Sequence, residues 1–144
     1  MDSGPSTVIM KKWAMLFTFM LGLATLWSAC GNQPQIIVTE NNLELGDVVN
    51  GEVIAREIGV QNNGEVDLII EAVTTSCGCT QATIEPTTIP PGSNGMLYIE
   101  FDSGAHGPEL TGQLIRQVFV ATNDPQQPET VVNLSANILP PDDP

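Results

Sequence analysis

The sequence predicts an all-β protein: an antiparallel β-sandwich of about seven strands, preceded by a hydrophobic leader. Three observations lead there. Short runs rich in β-branched and apolar residues recur along residues 36–139, and two of them alternate strictly. Clusters of Gly, Pro and Asn separate the runs. No stretch after the leader carries the 3.6-residue apolar period of a helix.

The runs follow in order. Ile36 to Thr39 opens the domain, and Leu43 to Val49 is broken by Gly46. Val53 to Gln61 places Ile54, Ile58 and Val60 on one face, interrupted by Arg56, which points to a sheet edge. Asn62-Asn63-Gly64 reads as a turn made of residues that tolerate positive φ. Leu68 to Thr75 comes next, and Thr87 to Ile89 runs into Pro90-Pro91-Gly92, which stops a strand. In Met96 to Asp102, the residues Leu97, Ile99 and Phe101 face one way and Met96, Tyr98, Glu100 and Asp102 the other. Gln113 to Thr122 sets Leu114, Arg116, Val118 and Val120 against Ile115, Phe119 and Ala121. Asn123-Asp124-Pro125 turns the chain into Val131 to Ile138, and Pro140-Pro141 ends it.

Residues 1–29 read as a signal peptide that forms a hydrophobic signal helix. Lys11 and Lys12 make a basic patch, Trp13 to Ala29 carries no charge, and the small residues Ser28 and Ala29 precede Cys30. Two of the four basic residues lie here, which favours keeping the N-terminus inside while the rest crosses. Ser28-Ala29-Cys30-Gly31-Asn32 resembles the lipobox of bacterial lipoproteins, with Trp27 where that motif prefers Leu. The resemblance makes Cys30 a lipidation site and residues 30–35 a tether. An uncleaved signal anchor is the alternative, because the apolar stretch is near the lower limit for spanning a bilayer. Each reading places the domain, residues 36–139, outside the cytoplasm and membrane-anchored or secreted, with residues 140–144 as a tail.

Residues 30–144 hold two bases, Arg56 and Arg116, against sixteen acids, a formal charge of −14. Such a surface repels nucleic acid and anionic headgroups and favours solubility. No nucleic-acid partner is expected; the expected contacts are the membrane, through the N-terminus, and a protein of the cell envelope. The three cysteines leave one odd thiol unless Cys30 is lipidated, in which case Cys77 and Cys79 remain as a pair.

These residues resemble a bacterial family, domain of unknown function 1573, related to immunoglobulin-like domains of the ciliary protein hydin. The match runs through Leu45-Gly46, Gly51-Glu52, Asn62-Asn63-Gly64, Ser76-Cys77-Gly78-Cys79-Thr80, Ile89-Pro90-Pro91-Gly92, Phe101-Asp102-Ser103, Gly107 and Thr122-Asn123-Asp124-Pro125. It covers about residues 40–138. Leu45, Ile58 and Val60 stand where aromatics are common, and Ala136-Asn137 replaces a usual glycine. The resemblance implies an immunoglobulin-like sandwich in an exported protein and implies no established reaction.

Cys77 and Cys79 admit three readings: a local disulfide, a soft-metal site for Cu(I) or Zn, or two packed thiols. Alternate residues of a flat strand lie near the upper Cα separation for a bridge, and a bend at Gly78 would shorten it. A metal would need further ligands, and residues 30–144 offer one histidine, His106, and one methionine, Met96. Ser103 and His106 lack a recognisable triad context, and Glu100, Asp102 and Asp124 match no calcium-loop template. No catalytic residue and no cofactor are expected. The expectation is a non-enzymatic binding or structural module, with metal binding or thiol redox chemistry at Cys77 and Cys79 as the alternative.

Overall fold

The computed structural model describes residues 32–141, and all regular structure within them is β. Nine strands form two packed sheets: β1 (Ile36–Val38), β2 (Asn42–Val49), β3 (Val53–Asn62), β4 (Leu68–Thr75), β5 (Thr80–Glu85), β6 (Thr88–Ile89), β7 (Asn94–Asp102), β8 (Gly112–Thr122) and β9 (Glu129–Leu139). The first sheet has the order β1-β3-β7-β5 and the second β2-β9-β8-β4-β6. The leader and Cys30 lie outside the described residues, so those expectations concern segments on which the fold is silent.

Alternation decides the two faces. In β7, Leu97, Ile99 and Phe101 are buried, and in β8, Val118 and Val120 are fully buried while Ile115 is 66% exposed. Ile58 and Val60 of β3 join the first set; Leu68, Val132, Leu134 and Ile138 join the second. These side chains fill the space between the sheets as one apolar cluster. Arg56 lies on an open edge, as its interruption of the β3 pattern implies, because β1 pairs β3 only from Val60 to Asn62. Beyond that short pairing, Val53 to Ile58 have their other neighbour, β7, on one side alone.

In the number and direction of strands, two features depart from the sequence expectation. One is an additional strand, β5, which pairs β7 from Thr80↔Phe101 to Glu85↔Met96. Its inward face is Thr80, Ala82 and Ile84, with a single large apolar side chain. That is too weak an alternation to stand out. The other is direction. β2 pairs β9 in parallel, whereas every other pairing is antiparallel. β1 and β2 are one pass of chain that changes sheet at Thr39–Asn41, where Thr39 N donates to Gly59 O of one sheet and Asn133 N of the other donates to Asn41 O. The pass keeps its direction across the switch, so β2 arrives alongside β9 pointing the same way. Gly46 does not break β2 but sits in a bulge between Glu44 and Gly46, with φ +75°, where a Cβ is disfavoured.

The Asn62-Asn63-Gly64 turn works by side-chain bonding and space, with no left-handed backbone at Gly64. Asn62 is fully buried; its Nδ2 donates to Val66 O (2.7 Å) and Ile89 O (2.9 Å), and its Oδ1 accepts from Gly64 N (2.9 Å) and Gln35 N (3.3 Å). Gly64 does not adopt positive φ; a Cβ there would overlap the backbone of Gln33 to Gln35. Glycine is required because the incoming N-terminal segment runs directly over it.

Candidate functional site

Strand directions give the sandwich two ends. At one, β1 enters opposite Asn62. At the other, Val53 pairs Asp102 and Phe101 pairs Thr80, so the loop before β5 and the loop after β7 come together. The first of these loops, Ser76 to Cys79, carries the chain from β4 in the second sheet to β5 in the first. It is held by backbone and hydroxyl bonds: Ser76 N donates to Gln117 O, Thr80 N to Cys77 O and Asp102 N to Cys79 O. The Thr75 hydroxyl stands 3.0 Å from the carbonyl oxygens of both Cys77 and Thr80.

Within this crossing Cys77 and Cys79 are disulfide-bonded, with their Cα atoms 5.3 Å apart. The separation is inside the range a bridge accepts and shorter than that of alternate residues on a flat strand. The shortening comes from the turn, and the carbonyl contacts of Thr75 hold that turn. Gly78 contributes no special geometry: it lacks positive φ, and a Cβ there would meet open space. Gly78→Ala is therefore expected to change stability by no more than about 0.5 kcal/mol, like other exposed substitutions. Loss of the bridge, through Cys77→Ser with Cys79→Ser, should cost about 1.5–2 kcal/mol, since so short a loop removes little entropy from the unfolded chain. Chemical denaturation of both variants beside the parent checks the pair of values; equal losses would contradict the statement that Gly78 contributes no special geometry.

The two sulfurs differ in surroundings. Cys79 is 3% exposed and Cys77 half-buried. Arg116 Nε donates to Cys79 Sγ at 3.3 Å, and the backbone N of Cys79 approaches Cys77 Sγ at 3.1 Å. The Thr80 hydroxyl lies 3.8 Å from Cys77 Sγ and 3.7 Å from Cys79 Sγ. His106, exposed on the loop after β7, brings a ring nitrogen to within 4.8 Å of both sulfurs. That loop is pinned at its base by buried Asn50, whose Nδ2 donates to Gly107 O and Leu110 O, both at 2.9 Å.

The structure thus brings Cys77, Cys79 and His106 together and leaves Met96 apart. Met96 pairs Glu85, five positions along β7 from the Phe101 that faces Thr80, a distance of roughly 17 Å. Ser103 is buried, its hydroxyl contacting Val49 O and Glu52 O and accepting from Gly51 N, so it is engaged in a turn and not aligned for nucleophilic attack. Asp124 lies at the opposite end of the sandwich from Asp102, beside Ile36, so the acids considered for calcium do not converge. Arg116, Thr80 and Asn50 are the site residues that sequence reading passed over. Arg116 did carry a signal: it is a charge on the inward-facing register of β8, a place where a cation needs a partner.

Chemically, the group offers two sulfurs joined as a disulfide, an imidazole beside them, and a guanidinium 3.3 Å from the buried sulfur of Cys79.

Comparison with known proteins gives the fold independent support. The family model described as "Protein of unknown function (DUF1573)" matches residues 36–138. No curated protein matches the chain. Among solved structures, a protein of unknown function from Porphyromonas gingivalis W83 aligns with TM-score 0.64 and 22% identity over 78% of this chain and 51% of its own. This chain therefore spans about half the length of that protein. The PapD-like domain 7 of human CEP192 aligns with TM-score 0.57 and 10% identity, over 77% of this chain and 89% of its own. A family 123 glycoside hydrolase from Clostridium perfringens aligns with TM-score 0.61 and 8% identity, over 78% of this chain and 28% of its own. At these identities the likeness is one of fold, which hosts unrelated functions.

Proposed function

The chain belongs to the DUF1573 family, whose function is not established, and from that premise we propose that it is an exported, lipid-anchored, non-enzymatic binding module of the cell envelope. The observation that carries the proposal is the polarity of the domain. The segment following Cys30 enters the sandwich at the Asn62 end, where Ile36 pairs Asn62. The cysteine pair and His106 occupy the other end, the length of the ten-residue strand β3 away, roughly 30 Å. A lipid on Cys30 is separated by only Gly31 and Asn32, at most about 11 Å of chain, from Gln33, whose carbonyl accepts from Glu65 N at the Asn62 end; this leaves the far end and the open edge of β3 turned away from the membrane. The leader and its lipobox-like end support export, and the charge of −14 supports a domain that stands off an anionic bilayer.

The partner is a protein of the envelope that docks on the open sheet edge. Val53 on that edge is 56% exposed, and Tyr98 of the neighbouring β7, which pairs Glu57, is 40% exposed. A shallow groove of about 330 Å³ crosses this face between Arg56, Gln81, Thr83 and Tyr98. An extended segment can add to such an edge through main-chain bonds.

The test is fractionation with labelled palmitate. The native chain is expected in the membrane fraction, carrying label and released only by detergent. Cys30→Ser should abolish the label. A chain that stays in the cytosol, or a label that survives Cys30→Ser, would count against the proposal.

A further inference from the structure

We infer that Cys77, Cys79 and His106 form a binding site for a monovalent soft metal ion, Cu(I), that opens only when the Cys77–Cys79 disulfide is reduced. The inference is independent of the anchoring proposed above. The three donor atoms lie within 4.8 Å of one another. Donors bound at 2.0–2.3 Å to one ion stand at most about 4.6 Å apart, so the group needs only small adjustments, beginning with the separation of the sulfurs when their bond breaks.

The choice of ion rests on donor number and charge. The group contains two sulfurs and one imidazole and no carboxylate. Structural zinc sites take four ligands, whereas soft thiolates suit Cu(I), for which three donors suffice. Arg116 stands 3.3 Å from Cys79 Sγ. Two thiolates, one guanidinium and a monovalent ion sum to zero charge; a divalent ion leaves an excess positive charge at a site whose inner sulfur is buried. Arg116 therefore selects against the divalent ion.

The gating chemistry is balanced by a dithiol reductant. One of its thiolates attacks the more accessible sulfur, that of Cys77, and the S–S bond breaks. Cys79 leaves as a thiolate beside the Arg116 guanidinium. The reductant's second thiolate then resolves the mixed disulfide. The reductant has become a disulfide, and Cys77 and Cys79 have gained two electrons and two protons. Cu(I) binding releases both protons to solvent and adds the His106 nitrogen as third donor. Reoxidation by a disulfide oxidant is the reverse exchange: the oxidant accepts the two electrons, takes up two protons from solvent and becomes a dithiol, while the Cys77–Cys79 bond is restored and the ion leaves as Cu(I).

The experiment uses the full chain in detergent under anaerobic conditions, either oxidised or reduced with dithiothreitol and desalted. It is titrated with tetrakis(acetonitrile)copper(I) against the chromophoric competitor bicinchoninate. The reduced chain should take up one Cu(I) that the oxidised chain does not, and copper X-ray absorption should show two sulfurs and one nitrogen. His106→Ala, at an exposed position, should weaken binding at least tenfold. Arg116→Gln should keep copper binding but lower the preference for Cu(I) over Zn(II) by on the order of tenfold, the effect of one nearby charge. The inference is overturned if the reduced chain takes no copper from bicinchoninate, or if His106→Ala binds as tightly as the parent. Equal uptake by the Cys77→Ser, Cys79→Ser chain, or a preference for zinc when both ions are offered, overturns it as well.

Discussion

Asn62→Ala is expected to destabilise the domain by about 4 kcal/mol and to lower its melting temperature by roughly 20 °C. Asn62 is fully buried, and its amide is bonded on every side. Four groups lose a partner when it is removed: the carbonyls of Val66 and Ile89, and the backbone N–H groups of Gly64 and Gln35. Each costs on the order of 1 kcal/mol when a shielded polar group is left unpaired. These bonds join the end of β3, the turn after it, the end of β6 and the entering N-terminal segment, so one side chain fastens four pieces of chain. Asn63 is the control. Its side chain makes one exposed bond, to Gln35 Oε1 at 3.0 Å, and Asn63→Ala should cost no more than about 0.5 kcal/mol. Thermal unfolding followed by circular dichroism compares the two. Equal effects would mean that backbone propensity in the turn matters and the buried amide does not.

Asp124→Ala is expected to cost about 3 kcal/mol. Its carboxylate is 2% exposed and accepts three backbone N–H groups: Ile36 at 3.0 Å through Oδ2, and Gln126 at 2.9 Å and Gln127 at 3.2 Å through Oδ1. The bond to Ile36 ties the start of β1 to the β8–β9 turn across 88 positions of sequence. Hydrogen bonds to a charged acceptor are stronger than neutral ones. Asp124→Asn keeps one carbonyl oxygen and should retain about half of the stabilisation. Asp102→Ala, which removes an exposed carboxylate bonded only to Gly104 N among its side-chain contacts, should cost less than about 1 kcal/mol. Denaturant midpoints of the three variants check the order, and an Asp102 effect as large as that of Asp124 would contradict it.

Both residues belong to motifs that carry the family resemblance, and the structure gives those motifs a structural role. In Thr122-Asn123-Asp124-Pro125, Asn123 Oδ1 accepts from Ile69 N while Nδ2 donates to Asp67 O, so the turn is stitched to β4 as Asp124 holds β1.

The sandwich was legible where burial is strict. Leu97, Ile99 and Phe101 face the core in the alternation their spacing dictates, and so do Val118 and Val120. β5 was hidden because threonine and alanine fill most of its inward positions. The parallel pairing of β2 with β9 follows from a switch between sheets at Thr39–Asn41, which leaves no periodic trace. At the site, the spacing of Cys77 and Cys79 announced a pair, but the turn that closes it depends on Thr75 and Thr80. His106 and Met96 were equal as potential ligands in the sequence. Only the register of β5 on β7, and Asn50 fastening the loop after β7, separate the near one from the far one.

The intact mass of the mature protein purified from its own host tests most directly whether the chain is lipid-anchored and carries a single cysteine pair. The expected mass is that of residues 30–144, increased by an acyl-glyceryl group on Cys30 and reduced by the two hydrogens of the Cys77–Cys79 bridge. A mass equal to the unprocessed 144-residue chain, with no acyl group and with three titratable thiols, would contradict it.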